Sequence, residues 1–125
     1  MFFNRHKSVV DDLQRTLTEQ AGLLEAINRS MAVIEFDLDG VVLRANDNFL
    51  KTMGYTAEQA IGQPHRRFCT PEFGRSTQYT DLWSRLKNGQ FQSGTFERVD
   101  GKGQPIWLEA SYNPIKDASG RVVKV

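Results

Sequence analysis

Residues 103–125 read GQPIWLEASYNPIKDASGRVVKV, and their pattern decides the fold. From Ile106 the side chains alternate. Ile106, Leu108, Ala110 and Tyr112 leave one face; Trp107, Glu109, Ser111 and Asn113 leave the other. A period of two marks a strand buried on one side, because successive side chains leave opposite faces of a pleated ribbon. Asn113-Pro114 ends the clean ladder, since proline has no N–H to donate. Lys116-Asp-Ala-Ser-Gly120 is turn chemistry, and Arg121-Val-Val-Lys-Val125 opens a returning strand. That strand meets no breaker by Val125, which leads us to expect a fragment of a longer protein.

Upstream the same kind of unit recurs. Met31-Ala-Val-Ile-Glu-Phe-Asp37 reads as a strand with Ala32, Ile34 and Phe36 on one face. Asp39-Gly40 is a hairpin dipeptide, and Val41–Ala45 returns. Asn46 or Asp47 caps a short helix with Phe49, Leu50 and Met53 on its apolar side, stopped by Gly54. Thr56 to Gln59 has capping-box spacing. Residues 65–75 read as one helical turn followed by a loop. Ser76–Asn88 is helical: Tyr79, Leu82, Trp83 and Leu86 share one face, and Gly89 stands at the stop. Phe91–Val99 is the next strand, turned by Asp100-Gly-Lys-Gly103. Two hairpins flanking a helical segment describe an α+β domain, a five-stranded antiparallel sheet with short helices on one face.

Residues 1–8 read as a loose leader and 9–30 as an amphipathic helix. Val10, Leu13, Leu17, Leu24, Ile27 and Met31 are spaced by three, four, seven, three and four, an a/d seam with Gln20 in its gap. Either the helix lies on its own domain or the seam joins two subunits. The 125 residues fit one core. With a net charge of +1 and no basic block, no electrostatic case exists for nucleic acid. No apolar run approaches the ~20 residues of a membrane span. The single cysteine, Cys69, cannot form an internal disulfide, which fits a reducing, cytoplasmic setting. One cysteine and two distant histidines make no zinc site. No nucleophile–base pair, phosphate-cradling loop or carboxylate dyad appears at meaningful spacing, so the reading is not an enzyme.

Residues 31–125 resemble a PAS domain. The resemblance rests on Val33-Ile-Glu-Phe-Asp-Leu-Asp-Gly40, Ala45-Asn46 with Phe49, Met53-Gly-Tyr55, Ile61-Gly62, Leu86-Lys-Asn-Gly89, Asp100-Gly101, and Asn113-Pro-Ile115 with Asp117 and Gly120. Gly62-Gln-Pro-His65, Tyr79–Gly89, Ser93-Gly94 and Trp107-Leu-Glu-Ala110 are most similar to the sensors of aerotaxis receptors. They are similar too to soluble tandem-PAS methyl-accepting chemoreceptors, including the biofilm-dispersion type. The resemblance implies a sensory input module, holding a small molecule between the inner sheet face and the short helices. It would signal energy or redox state to a downstream domain of the same receptor, as a homodimer through the N-terminal helix and the sheet. The alternative it implies is a cofactor-free or haem-containing module for small-ligand binding and dimerisation.

The resemblance places Trp83, His65, Phe68, Asn46, Phe96, Leu108 and Met53 at the cofactor site, with FAD as the cofactor. Trp83 aligns with a helix tryptophan of FAD-binding aerotaxis sensors, where an indole supplies stacking area and an N–H donor. Asn46 aligns with a helix-capping asparagine. Where those sensors carry Arg-His-Pro-Asp, this chain has Cys69-Thr-Pro-Glu72, which removes cationic donors; Arg66 or Arg67 are the substitutes. In photosensing relatives the reactive cysteine aligns with His65, and the flavin-contacting asparagines with Phe96 and Leu108. No flavin–thiol bond is therefore implied. Haem requires an axial ligand; His65 is the candidate, although a lone histidine after proline reads as a cap or surface residue.

Overall fold

The computed structural model describes residues 2–125, with side chains from residue 5 onward. It divides into the N-terminal segment up to Met31 and the unit Ala32–Val125. The first segment is one helix, α1 (Phe2–Ser30). The loose leader expected over residues 1–8 is corrected from Phe2 onward; Met1 lies outside the described residues. No proline interrupts this run, and the lone Gly22 costs only about 1 kcal/mol against alanine. Leu13, Leu17 and Leu24 are 60–64% exposed. Among the described residues no helix is long and apolar enough to cross a membrane.

The second unit is α+β. Its strands are β1 (Ile34–Phe36), β2 (Val42–Ala45), β3 (Gln92–Val99), β4 (Pro105–Tyr112), β5 (Ile115–Lys116) and β6 (Val122–Lys124). They form three antiparallel pairs, β1–β2, β3–β4 and β5–β6. Phe36 and Val125 exchange backbone hydrogen bonds of 2.7 and 2.9 Å, which joins the end of β6 to β1. The expected five strands are thus six, because Asn113-Pro114 divides one long strand into β4 and β5. Along β4 the half-buried positions are Ile106, Leu108, Ala110 and Tyr112, and the alternate ones are exposed.

Three turns share one chemistry. Asp37 Oδ1 accepts from the Asp39 and Val41 amides. Asp100 Oδ1 accepts from Lys102 and Gln104, and Asp117 Oδ1 from Ser119 and Arg121. In each, a glycine three residues after the aspartate takes positive φ (Gly40, +77°), where a Cβ would be strained. The side chain organises its own turn, so these hairpins are local devices.

Between the hairpins lie α2 (Asp47–Met53), α3 (Ala57–Ala60), a 3-10 turn (His65–Phe68), α4 (Pro71–Gly74) and α5 (Thr77–Lys87). Asn46, Thr56, Thr70 and Ser76 cap the four α-helices through side-chain oxygens. Part of the loop expected before residue 75 is α4, started by the Thr70 cap and Pro71 at its first turn. Tyr79, Leu82, Trp83 and Leu86 are the buried face of α5. They meet Phe36, Val42, Phe49, Met53 and Phe68 in one core. Met53 and Leu86 are fully buried, each contributing about 1.5–3 kcal/mol by removal of apolar area from water.

Candidate functional site

His65 is the centre of the interior. Gly62-Gln63-Pro64 lies along the start of β2: the Val42 amide donates to Gln63 O and the Gly62 amide to Val42 O, both at 2.9 Å. The His65 amide then donates to Gly40 O at 2.7 Å. This pairing turns the imidazole inward, and it is 2% exposed. The expectation of a cap or surface histidine is corrected. Local sequence carries no sign of it, since the partner strand is over twenty residues earlier.

Both ring nitrogens are engaged. Nδ1 lies 3.3 Å from the Tyr79 hydroxyl and Nε2 3.1 Å from that of Tyr112. Arg98 donates from Nε and Nη2 to the same Tyr112 oxygen, at 3.3 and 2.9 Å. Those two bonds occupy the oxygen's lone pairs, so the Tyr112 proton points at Nε2 and the imidazole carries its own proton on Nδ1. The ring stays neutral. Burial, and secondarily the Arg98 charge, push its pKa down to about 3. Burial likewise raises Tyr79 to about 12 and moves Tyr112 and the Cys69 thiol upward, Arg98 partly opposing it for the last two.

Aromatic edges enclose the imidazole. Phe36, Trp83 and Tyr112 stand edge-on at 5.2, 5.5 and 5.5 Å between centroids, and Tyr79 is stacked at 5.6 Å. Phe68 joins Phe49 and Tyr55 at 5.5 and 5.4 Å. Trp83 reaches the cluster because Gly40 has no side chain: a Cβ there would lie 3.3 Å from the indole. Its Nε1 is buried without an acceptor in hydrogen-bond geometry, although the indole N–H acts on the Tyr79 oxygen enough to favour the ionised phenol slightly, against the larger effect of burial.

Of the sequence-read site residues, Trp83, His65 and Phe68 come together. Met53 is fully buried in the same core. Phe96 and Leu108 are directly paired across β3 and β4; Phe96 meets Tyr112 at 5.4 Å. Asn46 Oδ1 accepts from the Phe49 and Val33 amides, the capping role. Arg66 donates to Gly74 O and lies over Tyr79, while Arg67 lies over Tyr55. Sequence reading missed Arg98 and the hydroxyls of Tyr79 and Tyr112. The signal was there for Arg98: it follows Phe96 by two, the inward parity of a strand. Beside it, a groove of about 250 Å³ opens between α5 and β3, with Phe73, Leu82 and Phe96 as its apolar lining.

The donor set suits a flavin: an orphaned buried indole N–H and a buried guanidinium are the kinds of group its carbonyls and ring nitrogens engage. Phe36 and His65 pack edge-on against the indole, at 5.7 and 5.5 Å between centroids, so a flavin enters only if the cluster parts. Haem fits less well. The only histidine in this interior presents neither nitrogen to an iron.

A family model described as the PAS fold matches residues 42–125. The chain is 50% identical to the biofilm dispersion protein BdlA of Pseudomonas aeruginosa over 97% of its own length and 29% of that protein's. It is 32% identical to the aerotaxis receptor of Escherichia coli over 63% of its length and 15% of the receptor's. The chain thus spans less than a third of the curated relatives it matches first. Among solved structures, the PAS domain of a protein from Colwellia psychrerythraea superposes with a TM-score of 0.74 at 24% identity, covering 87% of this chain and 90% of that one. An RNA-binding light-oxygen-voltage receptor gives 0.72 at 22% identity over 83% of this chain and 31% of its own. At those identities the likeness is one of fold.

Proposed function

As the chain belongs to the PAS fold family, we propose that it is the sensory input module of a cytoplasmic methyl-accepting chemotaxis receptor. It reports energy or redox state, through a bound small molecule, to a signalling domain of the same receptor. The relatives named for biofilm dispersion and aerotaxis support the pathway class. The carrying observation is the buried Trp83 Nε1, which meets no acceptor in hydrogen-bond geometry and acts only weakly on the Tyr79 oxygen; a guest molecule in the PAS interior would satisfy this donor. FAD is the cofactor this donor favours, held by Trp83 beside His65 and Phe68; when bound it supplies reversible electron uptake. A difference in affinity between two arrangements of the domain is what converts that change into signal.

Catalysis is disfavoured on the same geometry. Cys69 Sγ lies 3.7 Å from His65 Nδ1, a pair that in an exposed site would suggest a nucleophile and its base. Here the thiol's pKa is raised by burial and the imidazole's lowered. Neither is activated.

Purified protein incubated with excess FAD and then desalted is expected to keep visible flavin absorbance. Trp83→Phe is expected to lower flavin affinity about tenfold, the loss of one buried hydrogen bond of about 1.4 kcal/mol. A protein that stays colourless removes the flavin reading and leaves the small-ligand module. That second reading is favoured by the closed ring packing round His65.

The homodimer rests on two apolar surfaces. One is the α1 seam. The other is the outer sheet face, where Trp107 is 66% exposed. Sedimentation of the full chain is expected to give a dimer, and the double change Leu17→Glu and Leu24→Glu a monomer. An unchanged mass for the double variant sinks the helix-seam reading.

A further inference from the structure

The polar bonds around His65 run in one direction, and Arg98 starts them. Arg98 is 3% exposed, and among the described residues no ion pair includes it. Its Nη1 donates to Glu97 O at 2.8 Å, while Nε and Nη2 both donate to the Tyr112 oxygen. A guanidinium can only donate. Tyr112 therefore has one role left, as donor to His65 Nε2, and Nδ1–H points at the Tyr79 oxygen. Cys69 agrees with that direction from a separate side. Its thiol donates to His65 O at 3.6 Å, so the sulfur turns lone pairs toward Nδ1, 3.7 Å away.

The far end of this chain is unsatisfied. The Tyr79 oxygen accepts from Nδ1–H and feels the Trp83 indole N–H only weakly. Among the described residues its phenolic proton meets no acceptor. With the imidazole reversed, Tyr79 would donate to Nδ1, and its oxygen would be free to accept the indole more fully. Nε2–H would then need a lone pair on Tyr112, and Arg98 occupies both. Charge-assisted bonds are roughly twice as strong as neutral ones. Arg98 thus imposes the tautomer against the preference of the α5 end.

We propose that His65 is a tautomeric switch between the β3–β4 hairpin and α5, with Arg98 as the positioning residue that sets it. Parting Arg98 from the Tyr112 hydroxyl moves the imidazole proton from Nδ1 to Nε2, and Tyr79 changes from acceptor to donor. One proton leaves Nδ1 and one arrives at Nε2, carried by water during the local opening that parts the pair. Each tyrosine keeps its own proton and rotates its hydroxyl. Tyr112 is the last residue of β4, beside the Asn113-Pro114 break. A displacement at that junction is thereby reported on α5, across the core. The device requires no bound molecule, so it stands apart from the flavin reading.

The test is nitrogen NMR of the His65 ring at neutral pH, in the full chain carrying His6→Gln, which leaves one histidine. Protonated and bare ring nitrogens resonate far apart, so the tautomer is read directly. His65 is expected to show Nδ1–H and a bare Nε2. Arg98→Met keeps an apolar stem without the donors. It is expected to shift the tautomer ratio at least tenfold toward Nε2–H, by loss of the bonds that oppose it. The Trp83 Nε1–H signal should move downfield in that variant, while that of the exposed Trp107 stays. Tyr79→Phe is expected to keep Nδ1–H, since the direction is set from the other end. An Nε2–H or doubly protonated ring with Arg98 and Tyr79 intact overturns the proposal, as does a reversed tautomer in Tyr79→Phe. So does an Arg98→Met protein that keeps Nδ1–H, or whose Trp83 signal fails to follow the imidazole. Should Arg98→Met not fold, the first spectrum and Tyr79→Phe decide together. Retention or loss of FAD bears on the flavin reading alone.

Discussion

Lowering the pH from 7 to about 4 is expected to remove about 3 kcal/mol of folding stability through one residue, His65. Its imidazole titrates at 6.5 when free and at about 3 in the folded chain. Between those values the unfolded state binds a proton that the folded state refuses. Stability is therefore fully present above 6.5 and falls as pH drops toward 3, at about 1.4 kcal/mol per pH unit. The cause is structural. Protonation would place a second cation beside Arg98 in a buried site, and it would take from Tyr112 the lone pair on Nε2 that its hydroxyl uses.

Urea unfolding monitored across this range checks the point. His65→Phe is expected to be less stable at pH 7, because it leaves the Tyr79 and Tyr112 hydroxyls without their partner. Its stability should nonetheless lose most of the slope between pH 6.5 and 4. Asp117 does not confuse the result. Its carboxyl is held below its ordinary 3.8, first by the Ser119 hydroxyl, so its contribution is lost only at still lower pH. A flat profile in the unsubstituted protein between 6.5 and 4 means that His65 titrates normally and is not enclosed.

Gly101→Ala is expected to cost about 3 kcal/mol, the upper end for overpacking. A Cβ at 101 would lie 2.3 Å from Gly54 O and 3.1 Å from Gly54 C. Both are backbone atoms, so no side-chain rotation relieves the contact. The Gly101 amide also donates to Met53 O at 2.7 Å, which ties the β3–β4 turn to the end of α2. Moving that turn away breaks the bond and disturbs Met53 in the core. A fall of at least about 10 °C in Tm follows for a domain of this size, measured by thermal and urea denaturation. Gly22→Ala is the control, since nothing lies within 4 Å of its Cβ position. Equal behaviour of the two variants would show that the turn and α2 do not touch.

The two sites contrast in what the sequence discloses. Asp100-Gly101 is visible as a turn from its residue types, but not that Gly101 meets Gly54, forty-seven residues away. Trp83 was legible as buried because its spacing with Tyr79 and Leu86 is a helical stripe. Arg98 was passed over because a charged residue in a strand is ordinarily read as solvated, even at inward parity. The length of α1 was underread since its first residues lack an apolar period; a helix also forms where nothing forbids it.

From residue order alone came the alternation of Ile106 to Tyr112, the buried stripe of α5, the capping oxygens and the aspartate-organised hairpins. All depend on neighbours within a few positions, where covalent geometry dictates which side chains share a face. Only the folded chain decided that His65 is enclosed and neutral, that Arg98 lies inside without an opposing charge, and that the strands are six, in three antiparallel pairs. Those outcomes depend on partners 14 and 47 residues from His65, and on the removal of water from their surroundings. Desolvation is a property of the packed assembly, which no local stretch of residues contains.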